Sequence, residues 1–447
     1  MYRVVYGNRS QTPDVQSFID LLNRLDNHPF APARELFNSK ADLIVSRAPG
    51  RLDVMGGIAD YSGSHVLELP IAEATFAAVQ LHHERRLNIV TLLEDEPRHS
   101  SFTMPLSVLD GPIDYEAALD FFQRDKANRW AAYVAGVFLV LMRERNVSFP
   151  SGANILIWSR VPPGKGVSSS AALEVAVMQA VAAAFDISIE GRRQALLCQT
   201  VENRVVGAPC GVMDQMTAVF GERDRLLFLL CQPAEIKRMI ALPKQLLISG
   251  MDSGIRHSVG GADYGSVRAN TSMGFRIING LRPEVDYLAN ISPAEFESEY
   301  RLQLPEAIRI ATAHPIYENA RVQRFVELLD QCETADRPEL LFSELGELMY
   351  ESHDSYTALG LNSAGTDLLV DLVRREGPAA GLFGAKITGG GSGGTVAVLG
   401  DEQSHAAIER VVANYAKETG HQPYIFHGSS SGSLAFGHLR LQNLQSS

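Results

Sequence analysis

The chain of 447 residues carries 40 Lys+Arg against 52 Asp+Glu, a net charge of −12 with neutral histidines, and lacks the basic excess by which proteins hold nucleic acid or anionic membranes. Hydrophobic residues at 45% and charged residues at 21% match ordinary globular usage, which excludes a disordered polymer and allows a sizeable core. At about 150 residues per domain the length predicts two or three domains, with a site expected where they meet.

Met1 to Asp14 is polar and lacks a signal-type apolar stretch, and the longest apolar run, Tyr133 to Met142, covers about half of a membrane span. Gln16 to Phe37 reads as two short helices ahead of a strand, Asp42 to Ser46. After a glycine-rich turn, alternation predicts strands over Val66 to Leu69, Thr75 to Leu81 and Leu87 to Leu93. Asn128 to Glu144 is helical, and its Trp130, Tyr133 and Phe138 are assigned to the core. The strand Ala153 to Ser159 leads through the loop Val161 to Val167 into an alanine-rich helix, Ser169 to Phe185, apolar almost all round and therefore expected to be buried. Arg192 to Val206 and Gly211 to Phe220 read as helices stopped by Gly207 and Gly221. The second half opens on the strand Gln245 to Met251, runs through helices between Gly260 and Gly377, and returns to a strand at Thr395 to Leu399. The boundary is expected near Pro233 to Pro243, and the mixing of strands and helices in both halves gives the class α+β. Cys198, Cys210, Cys231 and Cys332 form no CxxC or Cys/His cluster, so neither a zinc site nor a disulfide framework is expected. A soluble cytoplasmic protein with small-molecule partners, and with neither nucleic acid nor membrane, is the expectation.

Three glycine-rich loops concentrate the chemistry. The first, Arg47-Ala48-Pro49-Gly50-Arg51-Leu52-Asp53-Val54-Met55-Gly56-Gly57, holds more turn residues than a hairpin needs, and Asp60-Tyr61 follows closely. The second, Val161 to Ser170, runs straight into the buried helix. Its glycines let backbone approach an anion, its serines cap the first turn, and the helix start offers free N–H groups with about half a positive charge. That suits a phosphate, although the GxxxxGK[ST] spacing is absent. The third, Thr388 to Gly394, contains GxGxxG but leads into a strand, unlike a dinucleotide fingerprint, and HRD and DFG motifs are absent. A loop that closes on a site from the second half fits it better. Between loops two and three lie Glu202 and Asp214, each explicable alone as a helix-surface or helix-start residue.

As an ordered set from about Arg47 to Leu399, the loops resemble the three motifs of the GHMP small-molecule kinases. Trp130-Ala131-Ala132-Tyr133, the segment Gly207 to Gln215, Asp263-Tyr264 with Arg268, and the twelve-residue step from Glu202 to Asp214 are similar to galactokinases. RAPGRLDVMGGIADYSG (Arg47 to Gly63) and DSGIRHSVGGADY (Asp252 to Tyr264) resemble the arabinokinase branch. The resemblance implies a two-domain fold, 1–240 and 241–447, with an active site in the cleft between the domains that phosphorylates the anomeric hydroxyl of a sugar with ATP and Mg²⁺. It implies that Arg51 and Asp214 flank that hydroxyl, that Asp60 holds sugar hydroxyls, and that Tyr264 lines the sugar pocket. It further implies that Gly164, Gly166, Ser168, Ser169 and Ser170 wrap the ATP phosphates, that Ser170 and Glu202 hold Mg²⁺, and that Gly389, Gly390 and Gly391 cover the site. Lys165 departs from the glycine usual in galactokinases. A non-catalytic sugar sensor on the same fold could have lost Arg51, Asp214 or Glu202, and all three are present. Galactokinases also follow the first-loop glycine with Glu-His, where this chain has Gly57 and Ile58. In galactokinases that glutamate resembles a clamp on the hydroxymethyl group of galactose, and its replacement here makes L-arabinose the expected substrate, with D-galactose the alternative.

Overall fold

The computed structural model describes residues 1–7, 12–93, 99–111, 114–255 and 262–443. The stretch 256–261 of the Asp252 to Tyr264 segment lies outside the described residues. The first sheet gathers β1 (Tyr2–Tyr6), β2 (Leu43–Met55), β3 (His65–His82), β4 (Arg86–Leu93), β5 (Ser100–Pro105), β6 (Gly152–Ser159), β7 (Arg225–Leu230) and β8 (Glu235–Ala241). The second has β9 (Leu246–Asp252), β10 (Leu382–Ile387), β11 (Thr395–Asp401) and β12 (Ile425–Phe426), in the order β10-β11-β9-β12. The last strand, β13 (Leu439–Asn443), returns to the first sheet and lies between β1 and β2. The chain after residue 241 is therefore not confined to the second sheet.

Two elements differ from expectation. Pro49 and Gly50 suggest that the strand at Asp42 to Ser46 should end in a turn, yet β2 runs on to Met55, buried at every position. Register shifts between Pro49 and Arg51 and between Asp53 and Met55 absorb the irregular residues, as β-bulges do. The real turn is Gly57–Ser62, a 3₁₀ segment. The two short strands predicted after it are one, β3, which passes through Pro70. Pro70 is tolerated because β7 pairs with residues 65–68 and β6 with residues 75–82, so on that edge no partner needs its missing N–H.

Helices Ala131–Arg145 and Ser169–Ala184 pack under the first sheet, with Phe138, Leu139, Val175 and Val181 fully buried. A second apolar cluster spans both halves, joining Leu52 and Leu69 of the first sheet to Leu399 of the second and to Val322, Phe325 and Phe342 on helices Glu306–Thr334 and Glu339–Ala358. Within that seam lies a buried ion pair. Lys386 Nζ on β10 is 2.6 Å from Asp53 Oδ2 on β2, and both side chains are wholly buried. Removing one member of such a pair leaves an uncompensated charge out of water, so Lys386→Met should lower the free energy of unfolding by about 3–5 kcal/mol, measured by denaturant titration. A change below about 1 kcal/mol, the scale of an exposed pair, would show that the seam does not depend on it.

Candidate active site

The helix Ser169–Ala184 begins without a side-chain cap, because Ser168 sits in the left-handed region at φ 66. Its hydroxyl is buried and unpartnered. The first-turn N–H groups are thus left to whatever enters the cleft. The loop before it is pinned to β2: Arg51 N–H donates to the Val167 carbonyl at 3.1 Å, and Arg51 Nη1 donates to the Gly166 carbonyl at 2.6 Å.

Arg51 is the hub. Its Nε donates to Asp214 Oδ1 at 2.9 Å and its Nη2 lies 2.7 Å from the same oxygen. Glu68 Oε2, fully buried on β3, is 3.1 Å from Nε. The single N–H on Nε is directed at Asp214, so charge alone holds Glu68. Burial would lower the guanidinium, but Asp214, Glu68 and Asp53 outweigh it and raise Arg51 above its ordinary value. Glu68, desolvated and near Asp53, is held well above the usual carboxylate range. Asp214 stands in the first turn of helix Met213–Phe220 and, at 20% side-chain exposure, faces the cleft. Asp60 is buried beside it. Burial, with Asp214 adding, pushes its carboxyl up to about 7, against the pull of Arg268, the Met213 N–H and Arg51. Gly211 makes this approach possible, since a Cβ there would lie 1.8 Å from Asp60 Oδ2. Tyr264 and Ile58 belong to one apolar cluster and close the wall.

Glu202 projects from the one-turn π-helix Val201–Val206 into the far end of the cleft. The Ser170 hydroxyl donates to it, and Gln215 Nε2 donates to its Oε2 at 2.7 Å. Burial pushes Glu202 up to about 7 despite these donors. One carboxylate and one hydroxyl, both open to the cleft, suit a Mg²⁺ ion that keeps water and phosphate oxygens as its other ligands. No group of three or more His, Cys, Asp or Glu that could hold a metal ion occurs among the described residues. A second cavity shares Gly164, Ser169, Ser170 and Glu202 with the first and is lined by Trp130, Tyr133, Ile157 and Leu173.

This arrangement has known counterparts. Residues 132–222 match the GHMP kinases N terminal domain, residues 339–418 the GHMP kinases C terminal domain, and residues 34–81 the galactokinase galactose-binding signature. The chain is 31% identical to galactokinase of Chloroflexus aggregans (strain MD-66 / DSM 9485), over 87% of this chain and 92% of that protein. It belongs to the galactokinase branch of the GHMP kinases. This kinase is also 44% identical to L-arabinokinase of Arabidopsis thaliana over 91% of its own length, but spans only 47% of that protein. Its fold is shared with Lactococcus lactis galactokinase complexed with galactose, at a TM-score of 0.78 and 21% identity, over 93% of this chain and 99% of that one.

In this GHMP kinase Arg51, Ile58, Asp60, Gly164, Gly166, Ser168, Ser169, Ser170, Glu202, Asp214, Tyr264 and Gly390 line one cleft. Gly57, Gly389 and Gly391 do not line it. Gly57 lies behind Ile58, where a Cβ would meet Tyr356 Oη at 1.9 Å, and Gly391 packs on Leu361. The Gly389 carbonyl accepts from Tyr356 Oη at 2.9 Å. Trp130 and Tyr133, assigned to the core from sequence, are half-buried in the second cavity, and only Phe138 is fully buried. Sequence reasoning also missed Glu68, Gln215, Tyr356 and the Asp53–Lys386 pair. For Glu68 the signal was an acid set between Leu67 and Leu69 in an apolar run.

Asp60 gives a pH test. Its folded value is raised, so relative to the unfolded chain its contribution is favourable below about pH 4 and is lost as pH rises through about 7. Asp60→Asn should therefore gain stability against the unmodified protein between those values and hold a constant difference above them, as read by denaturant unfolding across pH. A difference that does not change with pH would refute the raised value.

Proposed function

We propose that this chain transfers the terminal phosphoryl group of ATP to the anomeric hydroxyl of a monosaccharide, with L-arabinose preferred and L-arabinose 1-phosphate as product. The observation that carries the reading is the Arg51–Asp214 pair, set in a cleft between a serine-rich helix start and the Asp60–Tyr264 wall. Phosphoryl transfer asks a protein mainly for position and neutralised charge. The nucleotide base takes the Trp130–Tyr133 cavity, and the phosphates run along Gly164 to Ser170 under Gly390. Ser168 Oγ and the open N–H groups of the helix start hold phosphate oxygens. Ser170 and Glu202 would hold Mg²⁺, which would neutralise phosphate charge. Arg51 keeps a fixed positive charge between sugar and phosphate, anchored on Asp214 and the Gly166 carbonyl. Asp214 accepts the hydroxyl proton as the sugar oxygen bonds to phosphorus and the phosphorus–oxygen bond to ADP breaks. Asp60 accepts hydrogen bonds from the other sugar hydroxyls, and Tyr264 packs on the ring. No helix among the described residues is long and apolar enough to cross a membrane, and four free cysteines fit a reducing cytoplasm. Asp214→Asn should leave sugar and ATP binding in place and lower kcat by about 10²- to 10⁴-fold. Turnover equal to the unmodified enzyme would remove Asp214 from its role.

The sugar preference rests on Ile58, which lines the cleft, and on the lack of any side chain at Gly57 behind it. Ile58, 2% exposed, presents an apolar wall, and Tyr356 Oη occupies the space in which any side chain at position 57 would begin. A hydroxymethyl group would find no carboxylate there, whereas a pentose leaves none unpaired. The higher identity to a protein named L-arabinokinase than to one named galactokinase supports the same choice. In a sugar panel with ATP and Mg²⁺, kcat/KM should favour L-arabinose over D-galactose by about 10- to 200-fold, the worth of one misfit carbon. A galactose preference would reverse the substrate assignment and leave the kinase reading standing.

A further inference from the structure

Lys165 stands between two glycines that line the cleft, yet is itself absent from the lining. Its ammonium is 2.7 Å from Asp252 Oδ2, with side-chain exposures of 17% and 7%. Asp252 ends β9, its Oδ1 accepts the Gly254 N–H at 2.8 Å, and His421 Nε2 is 4.0 Å from Oδ2. The backbone of Lys165 is held from the same side, for Thr395 Oγ1 donates to its carbonyl at 2.8 Å, and Thr395 is the β-sheet partner of Asp252. Next to it, the Gly394 carbonyl accepts both the Ser253 N–H at 2.9 Å and the Ser253 hydroxyl at 2.6 Å. Side chain and main chain of Lys165 thus lead to one place, the junction of β9 with the third glycine loop.

We infer that Lys165 is a positioning residue: its ion pair with Asp252 fastens the loop Gly164 to Ser170 to the second sheet, and it acts on the nucleotide through that loop without touching phosphate. This rests on the reading of that loop as the ATP phosphate site. A partly desolvated pair with a second hydrogen bond on the carboxylate is worth more than an exposed one. A glycine-flanked loop fixed in advance has less freedom to lose when ATP binds. The pair links the two halves at the point where both loops must meet the same ligand.

The test compares Lys165→Met, Asp252→Asn, the double variant and Lys165→Arg, with ATP Kd by calorimetry and KM for ATP and for sugar. A latch predicts that each single neutral variant weakens ATP by about tenfold, equivalent to about 1.4 kcal/mol, and leaves the sugar KM unchanged. The double variant is then no worse than either single one, since the same interaction is removed, and Lys165→Arg retains the affinity of the unmodified chain. If Lys165→Met weakens ATP while Asp252→Asn leaves it unchanged or tighter, Lys165 contacts phosphate and the inference is overturned. Additive losses in the double variant, or silent single variants, overturn it as well. Absence of sugar-dependent ATP turnover in the unmodified chain would count against the proposed function instead, and the Kd comparison would still decide the latch.

Discussion

The buried pair of Asp53 and Lys386 is the constraint on which the cleft depends. Asp53 lies on β2 two residues beyond Arg51, and Lys386 lies on β10 just ahead of the third glycine loop. Two charges removed from water are stable only when each is well satisfied. Asp53 meets that condition with groups from both halves: Oδ1 accepts the Gly57 N–H at 2.9 Å, and Oδ2 takes Lys386 and, at 3.4 Å, the Gly389 N–H. Its own N–H donates to Thr388 Oγ1 at 2.6 Å. One carboxylate therefore fixes the turn Gly57–Ser62 and the third glycine loop relative to each other. Arg51, on the same strand, fixes the loop Gly164 to Ser170.

The second feature is an excess of carboxylates around few cations. Asp60, Glu68, Asp214, Glu202 and Glu174 crowd one region, and burial raises Asp60, Glu68, Glu174 and Glu202. Arg51 offsets the charge at Glu68 and Asp214. At the other end Glu174 and Glu202 share one amide, with Gln215 Nε2 at 3.5 Å from Glu174 and 2.7 Å from Glu202. Among the described residues no ion pair is formed by either carboxylate at that end, so burial there is relieved by the Gln215 amide and the Ser170 hydroxyl.

The cleft wall at Ile58 is set by backbone as much as by side chains. Gly57 at φ 47 adopts a conformation that favours glycine and is packed against Tyr356 Oη, which in turn accepts from the Ile58 N–H at 2.9 Å. Tyr356 comes from helix Glu339–Ala358 of the second half. The apolar wall at Ile58 is thus a joint product of two distant segments.

Residue order by itself determined the second and third glycine loops and the buried helix Ser169–Ala184, because glycine and serine spacing are local signals tied to helix starts and turns; the first glycine-rich stretch is mostly strand, and Arg51, Asp60, Glu202 and Asp214 became candidates only through the resemblance of the ordered set to a kinase family. It also carried the α+β class, through the alternation of the strands and the apolar face of the helices. Tertiary structure alone decided the rest. β2 continues through Pro49 because bulges and a long neighbour hold it. Trp130 and Tyr133 line a cavity because the helix Ala131–Arg145 presents that end beside the phosphate loop. Glu68, Gln215, Tyr356 and Lys386 gain their roles from partners between 13 and 333 positions away. A buried charge or hydroxyl is satisfied by whatever the fold brings to it, and no local pattern records that partner.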